Sequence, residues 1–188
     1  MVQRNDFSAI TRHEVDKGVF EEDVPAFVVD MVESPRDYVI YATRTGAPKI
    51  VLFGKNMPLA NPAFYNALDN TVTIFSKAAD PKATDPVQRN DHVVVYRILP
   101  GSNEISDKYR IDFRVWPLIK TLGARPRPDM NTGKVLGLGL TYSQVVGTLY
   151  HLCKQKNIQA KFVLQQLPEL QRIYYRTPSM GRPDKTEE

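Results

Sequence analysis

The sequence predicts an α+β domain: a mostly antiparallel β-sheet over about residues 26–115, packed against one main C-terminal amphipathic helix. Three observations predict it. Short runs rich in β-branched and aromatic residues recur from Ala26 onward, separated by Pro, Gly and Asn turns. The run Lys108–Val115 alternates charged and apolar residues, the period of a half-buried strand. Thr141–Lys156 instead repeats its apolar residues at helical spacing behind a helix-start signal.

Residues 1–24 mix charge and polarity without a clear period, including the acidic run Glu21-Glu22-Asp23, and are expected to form a loosely ordered arm. Ala26–Val32 is the first strand. A turn at Glu33–Arg36 follows, with Pro35 setting the bend. Asp37–Thr43 and Ile50–Phe53 then continue as strands around the turn Arg44–Pro48, a spacing that suggests a β-meander. Ala63–Leu68 reads as a helical turn, and Thr71–Ser76 returns to strand. Lys77–Asn90 is a polar loop with two prolines.

The clearest hairpin pairs His92–Leu99 with Lys108–Val115. The first arm is apolar on both faces, so it belongs inside a sheet. In the second, Tyr109, Ile111, Phe113 and Val115 face the core, and Lys108, Arg110, Asp112 and Arg114 face water. Pro117–Leu122 makes a short helix stopped by Gly123. Arg125-Pro-Arg-Pro128 is extended, because a residue before proline avoids the helical region. Asn131–Gly139 is a glycine-rich loop.

Thr141-Tyr-Ser-Gln144 has the form of a capping box. Behind it Tyr142, Val145, Val146, Leu149, Leu152 and Cys153 make one stripe, with Ser143, Gly147, His151 and Lys154 opposite. Lys154 and Lys156 suit the negative helix end, and Asn157 is the expected left-handed stop. Ala160–Leu167 packs as a short helix or a strand, Leu170–Tyr175 adds a final strand, and 177–188 is a flexible tail. The domain therefore spans 25–176.

The 188 residues carry a net charge of +4, unevenly spread. Met1–Asp107 holds 11 basic and 15 acidic residues; Lys108–Glu188 holds 14 basic and 6 acidic. The second part is the one that would attract an anionic partner, through Lys108, Arg110, Arg114, Arg125, Arg127, Lys154 and Arg172. No apolar run reaches the roughly 18–20 residues of a membrane helix. No apolar core stands behind a basic start, so a secretory signal is not expected in this stretch. The single Cys153 excludes an internal disulfide framework.

Catalytic and cofactor patterns fail one by one. His13, His92 and His151 lie far apart, and His151 and Cys153 point about 200° from each other on a helix, so no metal site is expected. Cys153 sits in an apolar stripe far from a helix N-terminus, the setting of a small buried hydrophobe. Asn131-Thr-Gly-Lys134 is followed by Val135 where a phosphate loop needs Ser or Thr, and Tyr142 stands where a dinucleotide fingerprint needs its third glycine. The acidic residues form no pair suited to glycoside hydrolysis. No cofactor is expected.

The block Thr141–Leu164 resembles the closing segment of the flagellar P-ring protein family. Val145-Val146, Leu149, Leu152, Lys154 and the run Ile158–Ala160–Phe162 carry the likeness, which covers about 24 of 188 residues. Asn157 stands where that family tends to have glycine. The resemblance implies a non-catalytic structural subunit that packs into a ring in the cell envelope or periplasm, should the chain be a segment of a longer protein; otherwise the cytoplasm is expected. The functional expectation is a non-enzymatic structural or protein-interaction module with a protein partner or a second copy of itself. The alternative is a basic domain that binds nucleic acid through its C-terminal half.

Overall fold

The computed structural model describes residues 10–16, 24–34, 37–68, 70–77, 82, 92–98, 105–128 and 135–166. Among the described residues two main sheets, a two-stranded ribbon and two helices make an α+β fold in which most strand pairs are antiparallel. The strands are β1 (Ile10–Val15), β2 (Phe27–Val32), β3 (Val39–Ala42), β4 (Lys49–Phe53), β5 (Phe64–Ala67), β6 (Val72–Phe75), β7 (Val93–Arg97) and β8 (Tyr109–Ile111). Helix α1 (Val115–Gly123) follows, then β9 (Arg127–Pro128), β10 (Val135–Leu136), helix α2 (Tyr142–Lys154) and β11 (Lys161–Leu164).

One main sheet has five strands in the order β1-β2-β4-β3-β11, the other is the antiparallel succession β5-β6-β7-β8, and β9 and β10 pair antiparallel as a separate ribbon. The expected single sheet is therefore two. The expected meander over 26–53 is replaced by a skipped neighbour: β2 runs parallel to β4, and β3 pairs antiparallel on the far side of β4. Every strand of this region reads as a half-buried ribbon, and a ribbon's own pattern does not name its neighbour.

Three local expectations are corrected. Ile10–Val15, expected in a loose arm, is an edge strand paired along its length with β2. Phe64–Ala67, expected as a helical turn, alternates exposed and buried residues as β5. Apolar residues at 63, 65 and 67 fit a two-residue period as well as a short helical one, and burial against β6 decides it. The left-handed stop of α2 falls on Lys156 (φ 61°), one residue before Asn157. Lys156 N–H donates to Cys153 O and Asn157 N–H to Leu152 O, the paired bonds of a Schellman end. The remaining expectations at 1–9, 17–23, Pro35 and 36, most of 77–91, 129–134 and 167–188 lie outside the described residues.

The hairpin of β7 and β8 forms, with Val95 opposite Tyr109 and Val93 opposite Ile111, but its second arm ends at Ile111, and Val115, expected in the strand, opens α1. β7 lies inside its sheet, as its two apolar faces require. The capping box of α2 also forms: Thr141 Oγ1 accepts from Gln144 N–H, and Gln144 Oε1 accepts from Thr141 N–H.

One cluster of buried side chains joins both sheets and both helices. The five-stranded sheet contributes Phe27, Val29, Ile40, Ile50 and Leu52; the other contributes Ile74, Val93 and Val95. From α2 come Val145, Leu149 and Leu152. The shorter helix is as deeply set, with Val115, Leu118, Ile119 and Leu122 fully buried. Each such side chain contributes about 1.5–3 kcal/mol of burial. α1 is thus a full partner of the main helix rather than a minor turn. Among the described residues no helix is long and apolar enough to cross a membrane.

Candidate interaction surfaces

The last two elements make an open apolar surface. Capping fixes the start of α2, and Tyr142 then anchors its first turn. The Tyr142 hydroxyl lies 2.8 Å from both the Thr43 and Lys49 carbonyl oxygens, at the turn between β3 and β4. Gln165, just past β11, accepts from the N–H groups of Arg44 and Thr45 in the same turn. Helix, turn and edge strand are therefore tied together by polar bonds around an apolar centre.

Between them runs a groove of about 400 Å³ lined by Tyr142, Val146, Gly147, Tyr150, Phe162 and Leu164, with Thr43, Arg44 and Ser143 at its margin. Tyr150 is 45% exposed and Leu164 39%. Their rings and methyls are not scattered: Tyr150 meets Phe162 edge-on at 5.6 Å between centroids. Among the described residues no carboxylate lines the groove. Arg44, Lys154, Lys156 and Lys161 stand exposed nearby in the chain.

β11 closes one side of its sheet and pairs only with β3 among the described residues. Lys161 N–H donates to Tyr38 O, and Gln165 N–H donates to Ala42 O. In a parallel ladder the odd-numbered residues 161, 163 and 165 thus bond inward, and the peptide groups of Phe162 and Leu164 face the open edge. Those two residues are the ones whose side chains line the groove.

The basic residues nominated from sequence are spread over separate elements. Lys108 and Arg110 are exposed on and before β8, with the Lys108 ammonium 5.8 Å from the Tyr96 ring centroid. Arg114 is the N-cap of α1 and makes no side-chain cap. Arg125 and Arg127 both reach Asp16: Arg125 Nε lies 2.7 Å from Oδ2, and Arg127 lies 3.5 Å from Oδ1. Asp16 is deeply buried at the end of β1, so these two cations hold the chain to itself. Lys154 is exposed at the end of α2, and Arg172 lies outside the described residues.

A second buried carboxylate is also paired. Asp30 on β2 accepts two bonds from Arg12, at 2.8 and 3.1 Å, and lies 3.3 Å from Lys49. The Arg12 hydrogen bonds, reinforced by Lys49, hold its carboxyl below the usual range against the opposing effect of burial. Burial pushes the Cys153 thiol up to about 11, which leaves it protonated and inert at neutral pH. Among the described residues no three His, Cys, Asp or Glu side chains gather to hold a metal ion.

Sequence reasoning passed over Tyr150, Phe162 and Leu164. A signal was present: Tyr142, Val146 and Tyr150 are four apart, a ridge beside the core stripe. It also passed over His13 and Trp116, which stack with centroids 4.4 Å apart. No family model, curated protein or solved structure matches the chain.

Proposed function

We propose that the domain is a non-catalytic protein-interaction module whose contact surface is the α2–β11 face. Its occupant is an extended segment of a protein partner, apolar at alternate residues and acidic at its flanks. The observation that carries this reading is the coincidence at Phe162 and Leu164: their peptide groups face an open edge while their side chains line an apolar groove. Strand addition uses both, main-chain bonds for affinity and pockets for specificity. The absence of carboxylates in the groove and the nearby Arg44 and Lys161 favour acidic flanks on the partner. Membership of a P-ring-like assembly in the cell envelope is the finer form of the proposal, supported by the resemblance over 141–164, which is the segment that builds this face.

A displayed library of random decapeptides, selected on the full chain, tests it. Enriched peptides should alternate apolar residues and carry Asp or Glu. Leu164→Pro removes an N–H that the β3 ladder does not use, and Tyr150→Glu places charge in the groove. Each should weaken the selected peptides at least about tenfold. Selected peptides indifferent to both changes would refute the site. A dimer that forms with concentration and is lost in Leu164→Pro would put a second copy on the edge instead. Oligonucleotide binding that falls steeply with salt and depends on Lys108, Arg110 and Arg114 would replace this reading with the nucleic-acid one.

A further inference from the structure

A second surface, on different elements, has a different chemistry. Along β1 the side chains of Thr11, His13 and Val15 share one face, opposite Met31, Val29 and Phe27 of β2. That face packs toward α1. At its inner end Val15 is buried and approaches Gly123 closely. At its outer end the layers part, and His13 stacks on Trp116. The result is a hollow of about 290 Å³ beside the start of α1.

Met31, Trp116 and Pro117 give the hollow an apolar lining; Thr11, His13 and Asn56 add polar groups; Lys55 and Arg114 bring two cations. No carboxylate is among the lining residues. Lys55 has an acidic neighbour, Glu33, but at 4.0 Å with both side chains more than half exposed, a pair that holds the ammonium weakly. His13 Nε2 is shielded from solvent and has no hydrogen-bond partner. Buried ring nitrogens are seldom left so.

We propose that this hollow binds a small aromatic anion, a carboxylate or phosphate borne on a single ring. The ring lies against Trp116, Pro117 and Met31. The charged oxygens meet Lys55 and Arg114. The volume suits one ring with its substituent and is small for a nucleotide. Arg114 also has no acidic residue in the first turn of α1 to neutralise it.

Trp116 is the single tryptophan of the chain, so its fluorescence reports this hollow directly. The full chain is titrated with phenyl phosphate and with benzoate. Benzyl alcohol serves as the ring without charge, and inorganic phosphate as the charge without a ring. Both aromatic anions should give a saturable change with Kd on the order of 1 mM, as expected for about ten non-hydrogen atoms. The two single-feature probes should bind at least about tenfold more weakly. The double variant Lys55→Gln/Arg114→Gln should weaken the anions by at least about tenfold. Ligand-observed NMR repeats each titration without relying on the indole. No binding of either anion by both methods at about 20 mM, or binding that benzyl alcohol equals, or affinity untouched by loss of both cations, would each overturn the proposal.

Discussion

At the end of α1 the helix lies close against the sheet through a glycine, and the sign of its replacement follows from the geometry. Gly123 is the last residue of α1, is buried, and is not among the residues with positive φ. Its backbone would accept alanine; its surroundings would not. A Cβ there would lie 2.6 Å from Phe27 Cζ, 2.7 Å from Phe27 Cε1 and 2.9 Å from Val15 Cγ1. Ordinary carbon contacts begin near 3.5 Å, so three overlaps of more than half an ångström must be relieved. Phe27 and Val15 are 1% and 2% exposed and face each other across β1 and β2, so neither has room to retreat. Overpacking of this kind costs about 1–3 kcal/mol, and the gain in helix propensity returns at most about 1. Gly123→Ala should therefore destabilise by about 1–2 kcal/mol, lowering Tm by roughly 2–8 °C for a chain of this length. Gly147 supplies the control. It lies inside α2, and a Cβ there meets nothing within 4 Å. Gly147→Ala should stabilise by about 0.5–1 kcal/mol. Urea unfolding of both variants measures the pair. A neutral or stabilising Gly123→Ala would refute the close-packing argument. Adding Val15→Ala to Gly123→Ala should recover part of the loss, and strict additivity of the two changes would refute the contact itself.

Other outcomes follow from the same structure. Leu149→Ala empties a fully buried site between helix and sheets and should cost about 2–5 kcal/mol in the same urea assay. Asp30→Asn removes the acceptor of Arg12 and Lys49 at a site only 6% exposed and should cost about 1–3 kcal/mol at pH 7. Because the folded carboxyl titrates below its ordinary value of 3.8, its contribution is present above that pH and lost as pH falls through the lowered value. Tm against pH should thus converge for wild type and Asp30→Asn toward strong acid. Cys153, raised from 9.0 to about 11, has the opposite sign: the fold favours the neutral thiol, fully so below pH 9, and loses that contribution as pH rises through about 11. Iodoacetamide at pH 8 should modify native Cys153 roughly 10–100-fold more slowly than the urea-unfolded chain. Tyr142→Phe should cost about 1–2 kcal/mol by leaving the Thr43 and Lys49 carbonyls without the hydroxyl.

What the chain shows by itself is what is decided within a dozen residues. The α2 box, its stripe and the alternation of Tyr109 and Ile111 are set by neighbours in sequence, and they form as expected. Strand partners are set elsewhere. β2 and β4 pair although β3 lies between them in sequence, and nothing in Val28–Val32 or Lys49–Phe53 favours that over a meander. β1 was hardest to see because Thr11-Arg12-His13-Glu14 has the period of a strand without its apolar content. Its inward residues are a threonine, a histidine and a single valine, and its outward Arg12 makes sense only once Asp30 stands opposite in register.

The same distinction governs the surfaces. Counting charge along the chain makes the second part basic, and Arg125 and Arg127 are among the reasons. In space both are held by Asp16, from the part counted as acidic. A count by segment treats as separate one acid and two bases that the fold brings together, so it overstates the cationic surface by one charge where β1 meets the end of α1. It also understates the surface at Lys55, which belongs to the acidic part and yet stands with Arg114 around Trp116. The groove on α2 and β11 escapes this difficulty only because both of its walls lie within 25 residues. Even there, the decisive fact is that Phe162 and Leu164 offer their peptide groups outward, and that follows from Lys161 bonding to Tyr38, a residue more than a hundred positions away.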